Sequence, residues 1–352
     1  MTTGLLLLGI VAGAYLAARS ASEWLATRFL IVSGAEYLLL GVLLGPEVSG
    51  VIQASTVDGF APFLTLAFGW VGALVGAQFH FRDLVRIPGE HFRIAWTESA
   101  LVFGIATGLT SALGVWWLGV TWQEVAVPAV AVGAITVSSA PTGIAVVSRQ
   151  LSARGFLVRQ LQITPAVDAL VAIVAFGLVL ALAHEAPDMA HRPPTPTEWA
   201  VITLAIGLVS GVLFHLFVVG ERKIDRLFIA LSGALILSSG AAAFLRLSPL
   251  LPALLVGFVL VNTSPARDEL REVLTRVERP LYFVLLIFAG AALQVEESGW
   301  LLVASAFVLI RIVVKVGSAA AAGRAHHALP SLGVRWGWGL VGHGGLAVGR
   351  SL

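Results

Sequence analysis

The chain has 352 residues, 58% hydrophobic and 12% charged, with a formal net charge of +2 and no cysteine. Average soluble domains are about 45–50% apolar and about 25% charged, so this composition excludes a soluble globular protein, a disordered chain and a disulfide-stapled secreted domain. The small net charge gives no sign of nucleic-acid binding, and what remains is an all-α polytopic membrane protein.

A spanning helix needs ~20 apolar residues. Apolar segments fall, in chain order, at about 4–18, 27–45, 59–79, 94–118, 125–148, 156–183, 199–219, 227–245, 248–262, 281–295, 299–323 and 335–349, which predicts about twelve transmembrane helices. The ten-residue alternation of a membrane β-barrel is missing. The first segment is not read as a signal peptide, since no basic residue precedes it and no clear small-x-small cleavage site follows. Alternate loops hold Arg19 and Arg28; Arg82, Arg86 and Arg93; Arg149, Arg154 and Arg159; Arg222, Lys223 and Arg226; Arg267, Arg271, Arg276 and Arg279; then Arg324 and Arg335. The opposite loops and the end hold only Arg192, Arg246 and Arg350. This positive-inside asymmetry predicts both termini outside. The outer connection 184–198, with Pro193, Pro194 and Pro196, is expected to separate two halves. The inner connection 262–280 alternates charges and predicts a short amphipathic helix on the cytoplasmic surface.

Ionisable residues at depth are functional hypotheses by default. Asp168 lies mid-segment in Gln-Ile-Thr-Pro-Ala-Val-Asp, three residues after Pro165 and four after Thr164. A proline there frees a backbone carbonyl, and a carboxylate beside freed carbonyls suits a hard monovalent cation or a proton. The competing reading is a packing residue, neutral or salt-bridged. The fifth segment carries Thr136-Val137-Ser138-Ser139-Ala140-Pro141-Thr142-Gly143 at mid-depth. Pro141 and Gly143 predict an interrupted helix whose hydroxyls (Ser138, Ser139, Thr142) face a substrate site, or else an ordinary kink. Arg311 and Lys315 stand one turn apart on one face of the eleventh segment. Either is a natural partner for Asp168, against a purely structural ion pair. Gly342-His343-Gly344-Gly345 predicts a second break, with His343 a titratable group or a structural one. Glu98 is expected close enough to the inner surface to be wet, and Glu36 has no assigned role.

The fifth and twelfth segments run in opposite directions, and each carries a break. This is the pattern of an inverted repeat. The first unit is segments four to six; the second would need a thirteenth segment beyond Leu352, so the final helix is expected to be missing.

These residues resemble the monovalent cation/proton antiporters, in the branch of bacterial sodium/proton and potassium-efflux antiporters. The match is carried by Tyr37 to Pro46, Ser138 to Thr142 with Val147 to Leu151, Leu247 to Gly257, and Lys315 with Gly342 to Ala347, in order over nearly the whole chain. The resemblance implies a sodium/proton antiporter-like fold with two discontinuous crossing helices. It places the ion- and proton-carrying aspartate at Asp168 and the basic residue at Lys315. It implies a homodimer in a bacterial inner membrane, with scaffold over 1–93 and 185–298 and a mobile core over 94–184 and 299–352. Departures are Val167 and Ala169 beside the aspartate, where the family often has a second Asp or an Asn, and Gln78 where many relatives have Glu.

The expected function is exchange of Na⁺, K⁺ or Li⁺ for H⁺ by competition at Asp168. One acid implies one proton per cation and electroneutral exchange. Ser138, Ser139 and Thr142 would help hold the cation, with Pro141, Thr164, Lys315, Arg311 and His343 in support. No cofactor and no enzymatic step is expected. The alternatives are a non-transporting sensor or scaffold on the same fold, and a truncated inactive antiporter.

Overall fold

The computed structural model describes residues 35–117, 119–139, 152, 154–184, 194–218, 220–293, 300–333 and 335–341. Their elements are α1 (Ala35–Leu44), α2 (Ala54–Gly59), α3 (Ala61–Ala77), α4 (Phe81–Val85), α5 (Gly89–Trp116), α6 (Trp122–Val137), α7 (Phe156–Leu182), α8 (Pro196–Val218), α9 (Ile224–Phe244), α10 (Leu250–Thr263), α11 (Arg267–Ala291), α12 (Trp300–Ala325), α13 (Leu329–Leu332) and a closing 3-10 turn (Trp336–Leu340). No strand occurs among the described residues. Of these helices α5, α7, α8, α9 and α12 are long and apolar enough to cross a membrane, and α3, α6 and α10 are shorter apolar helices. The chain is an integral membrane protein with an all-helical fold. Most of the expected segments coincide with helices; the first, the start of the second and the ends of the fifth and twelfth lie outside the described residues.

The helices sort into two packed groups. In the first, Trp70 of α3, Leu227 and Leu231 of α9, Leu260 of α10 and Leu270 and Leu274 of α11 share one core cluster. Small residues bring backbones together here, since lipid gives helices no hydrophobic reason to associate. A Cβ on Gly76 of α3 would meet the Leu254 carbonyl oxygen at 1.9 Å, and one on Gly257 of α10 would meet that of Ala73 at 2.1 Å. Helix α1 lies on α11 in the same way: a Cβ on Gly41 would stand 2.0 Å from the Ile287 carbonyl oxygen. In the second group, Val102 of α5, Ala134 and Val137 of α6, Ala172 of α7 and Val314 of α12 form a common core. The groups meet along α7, whose Ala169 and Ile173 pack on Val75 of α3 and Leu251 and Leu254 of α10.

Three expectations are corrected. The surface helix expected within 262–280 and the span at 281–295 are one continuous helix, α11, with Pro280 inside it. Its charged half hides an apolar stripe, Leu270, Val273 and Leu274, buried in the first core, and the Trp70 indole donates to the Leu274 carbonyl at 3.0 Å. Packing of both halves outweighs the hydrogen bond Pro280 cannot make. Second, α5 starts at Gly89 rather than near residue 94. Third, the described part of the twelfth segment is a 3-10 turn, Trp-Gly-Trp-Gly-Leu. Glycines at alternate positions weaken an α-helix, and Gly337 lets the turn press on α12, where its Cβ would meet that of Ala319 at 2.7 Å.

The loop after α3 is fastened to α10 and α11 by polar contacts. Arg271 donates to the Ala77 carbonyl at 3.1 Å and pairs with Asp83 at 2.9 Å; the Asn262 amide donates to the Phe79 carbonyl at 3.0 Å. Desolvation pushes the Asp83 carboxyl up, but Arg271 outweighs it and holds the group below its ordinary range. A depressed carboxyl stabilises the fold above its unfolded-state value and loses that contribution as pH falls through the folded one. Asp83→Asn should therefore lower detergent-solution stability at neutral pH by at most ~1 kcal/mol, the scale of a partly exposed pair. The difference from wild type should close in acid. Melting curves over a pH series check this; a gap that persists in acid contradicts it.

Candidate functional site

The site forms where the second group of helices converges. Helix α6 begins with a capping box, in which the Thr121 backbone N–H donates to Glu124 Oε2 at 2.9 Å, and it ends at Val137, with Ser138 extended. The chain thus leaves the helix immediately before the Ser138-Ser139 pair. The exposed carbonyls at this end carry the negative pole of the helix. Two cations from α12 meet them. Lys315 donates to the Val137 carbonyl at 2.8 Å, and Arg311 donates to the Ser138 carbonyl at 2.6 Å. Arg311 also donates to the Val341 carbonyl, just beyond the 3-10 turn. The first break and the start of the second region are therefore held by one side chain.

Asp168 of α7 is fully buried and accepts three bonds. Ser99 of α5 donates to its Oδ1 at 2.6 Å. Ser139 donates to its Oδ2 at 2.6 Å and lies 3.1 Å from the Leu340 carbonyl. Lys315 Nζ donates to Oδ2 at 2.8 Å. Lys315, rather than Arg311, is the partner of Asp168. The carboxylate, two hydroxyls and nearby carbonyls make an oxygen-rich set, the donor type hard cations take. The described residues hold no cluster of three or more His, Cys, Asp or Glu of metal-binding geometry.

Glu98 corrects the sequence reading. It is not wet: it is 0% exposed, and its Oε1 lies 3.1 Å from Lys315 Nζ. Because α5 starts at Gly89, Glu98 stands nine residues in, about 13 Å along the axis at ~1.5 Å per residue. The polar Glu90, His91 and Arg93 had disguised the first turns of the helix as loop. Among the described residues neither Glu98 oxygen has a hydrogen-bond partner.

The other expected site residues divide. Ser139 and Lys315 join Asp168. Ser138 contributes its carbonyl, while its buried hydroxyl has no partner among the described residues. Thr164 is one turn from Asp168 on α7 and belongs to a separate network: its hydroxyl donates to the Gln160 carbonyl at 2.9 Å and accepts from the Gln160 amide at 3.1 Å. The same amide donates to the His91 carbonyl at 3.1 Å. The Gln160 side-chain Oε1 is thus left to accept from His91 Nδ1 at 2.8 Å. Pro141, Thr142 and His343 lie outside the described residues, and so does the Glu36 side chain. Sequence reasoning missed Ser99 and placed Glu98 too near the surface; the adjacent Thr97-Glu98-Ser99 in an otherwise apolar stretch was the available signal.

No family model matches the chain, and no curated protein matches it either. Solved structures do. The sodium proton antiporter MjNhaP1 from Methanocaldococcus jannaschii, at pH 8, is 14% identical and superposes with a TM-score of 0.64 over 90% of this chain and 79% of that one. An electron-microscopy structure of the same antiporter is 15% identical, with a TM-score of 0.66 over 99% of this chain and 84% of that one. The chain has the sodium/proton antiporter fold.

Proposed function

We propose that the chain is a secondary active transporter that exchanges a monovalent cation for H⁺ across the membrane. The observation that carries this is Asp168: a fully buried carboxylate held by Ser99, Ser139 and Lys315 at a helix break, within the fold of a sodium/proton antiporter. A proton and a hard cation compete for such a group. On the side where protons are scarce, the cation takes Asp168 with help from the hydroxyls and from the carbonyls of the break. On the other side a proton displaces it. An uncompensated charge is too costly to carry through the membrane, so the site crosses only when it is neutral or charge-compensated. With one carrying acid, exchange is one-for-one and electroneutral.

Na⁺ is the first candidate, since the structural neighbours are named for it; K⁺ and Li⁺ are the others. The proposed working form is a homodimer with both termini outside. Residues 94–184 and 299–352 form the moving core on a scaffold of 1–93 and 185–298. No cofactor is required.

Proteoliposomes loaded with a pH-sensitive dye test the reading. Addition of Na⁺ should move protons in wild type, and Asp168→Asn should abolish the signal while eluting normally on gel filtration in detergent. Wild type that moves no protons with Na⁺, K⁺ or Li⁺ sinks the proposal.

A further inference from the structure

Glu98 is buried beside this site and unused by the mechanism above. One ammonium, Lys315, stands between two carboxylates, 2.8 Å from Asp168 and 3.1 Å from Glu98. All three side chains are 0% exposed. The Lys315 bond to the Val137 carbonyl, at 2.8 Å, occupies a third direction. A cation approaching Asp168 Oδ2 meets the ammonium already bound there. The ammonium must then shed a proton or find another anion. The anion within reach is Glu98.

We propose that Glu98 is the second seat of the Lys315 ammonium, a positioning residue that takes the charged lysine whenever a cation holds Asp168. This rests on the exchange reading above. Asp168, Glu98 and Lys315 together carry one net negative charge when the site is empty and none when Asp168 holds one cation or one proton. Among the described residues, the charged groups facing Lys315 are Glu98 from α5, Asp168 from α7 and Arg311 from its own helix. Helix α6 and the 3-10 turn offer it only hydroxyls and carbonyls. Arg311 stays on the Ser138 and Val341 carbonyls and so cancels from the difference between states. With Arg311 counted, the cluster gains one positive charge whichever ion loads it, so the outward and return legs carry the same charge. Lysine keeps its proton throughout, so no second proton travels.

The test compares wild type, Glu98→Gln and Glu98→Asp in proteoliposomes, with dye-reported proton movement and currents on solid-supported membranes. Wild type should exchange Na⁺ for H⁺ without current. In Glu98→Gln the lysine has no second seat and must release its proton when Na⁺ binds. The pH profile should therefore move alkaline by about one unit or more, the scale of a lost charge partner. Loss of exchange in a folded Glu98→Gln also fits, provided that Glu98→Asp restores it. Glu98→Asp should bring back the wild-type pH profile. A Glu98→Gln protein with the wild-type pH profile overturns this inference alone, as does a loss that Glu98→Asp does not restore. Wild type that moves no protons overturns the exchange reading and this inference with it. Should Glu98→Gln fail to fold, unbuffered wild type in detergent carries the test. Saturating Na⁺ should release no more than one proton per chain, and a larger release overturns the proposal.

Discussion

Lys315→Met should be among the most destabilising single substitutions in this chain. The lysine is fully buried, and its ammonium is the shared counter-charge of Asp168 and Glu98. Methionine keeps most of the volume and removes the charge, leaving two buried carboxylates without the ammonium they share. Breaking a buried pair in this way costs ~3–5 kcal/mol, and here two acids lose one partner. The deficit should shrink in acid, where protons take the place of the ammonium, and should widen as pH rises. It should also be largely repaired in the triple variant Lys315→Met/Glu98→Gln/Asp168→Asn, which removes the stranded charges together. Thermal unfolding in detergent across pH measures all of this. A loss of the same size at every pH would falsify the electrostatic account and leave only a packing defect.

A single methyl group should have opposite effects at two glycines. Gly257→Ala drives a Cβ to 2.1 Å from the Ala73 backbone oxygen, and that neighbour is helix backbone with nowhere to go. Helices α3 and α10 must separate along the contact that builds the first core. The loss should exceed the ~1–3 kcal/mol typical of overpacking, since rotamer changes cannot relieve it. Gly104→Ala, on an exposed face of α5 with nothing within 4 Å of the new atom, should instead gain up to ~1 kcal/mol from helix propensity. Yield after gel filtration and melting temperature separate the two cases. Equal behaviour of the two variants would show that the α3–α10 approach is looser than the 2.1 Å contact implies.

The legible parts of the molecule were those where a residue type contradicts its surroundings. Asp168 and Lys315 stood out because a charge in an apolar run demands a reason, and the structure pairs them. The interruption near Ser138 was legible because proline and glycine follow it closely. Glu98 was hidden by its neighbours: Glu90, His91 and Arg93 made the start of α5 look like loop, so the acid was placed too near the surface. Ser99 was hidden with it, because the polar run Thr97-Glu98-Ser99 was read as lying near the surface. The carbonyls of Val137, Ser138, Leu340 and Val341, which take much of the site's hydrogen bonding, were beyond reach, because a backbone oxygen is the same in every residue. The continuity of α11 was missed because its charge alternation describes only one face of a helix whose other face is buried.

The Arg311 guanidinium also has a mechanical meaning. It clamps the Ser138 carbonyl, at the end of α6, and the Val341 carbonyl, past the 3-10 turn. These points come from opposite halves of the chain, with α7 to α13 and the 3-10 turn between them in sequence. A shift of either one without the other would strip a buried cation of its acceptor. The two ends are thus coupled like parts pinned by one rivet: whatever displacement the site undergoes, the floor from the first half and the wall from the second travel as one block, with α12 as its spine.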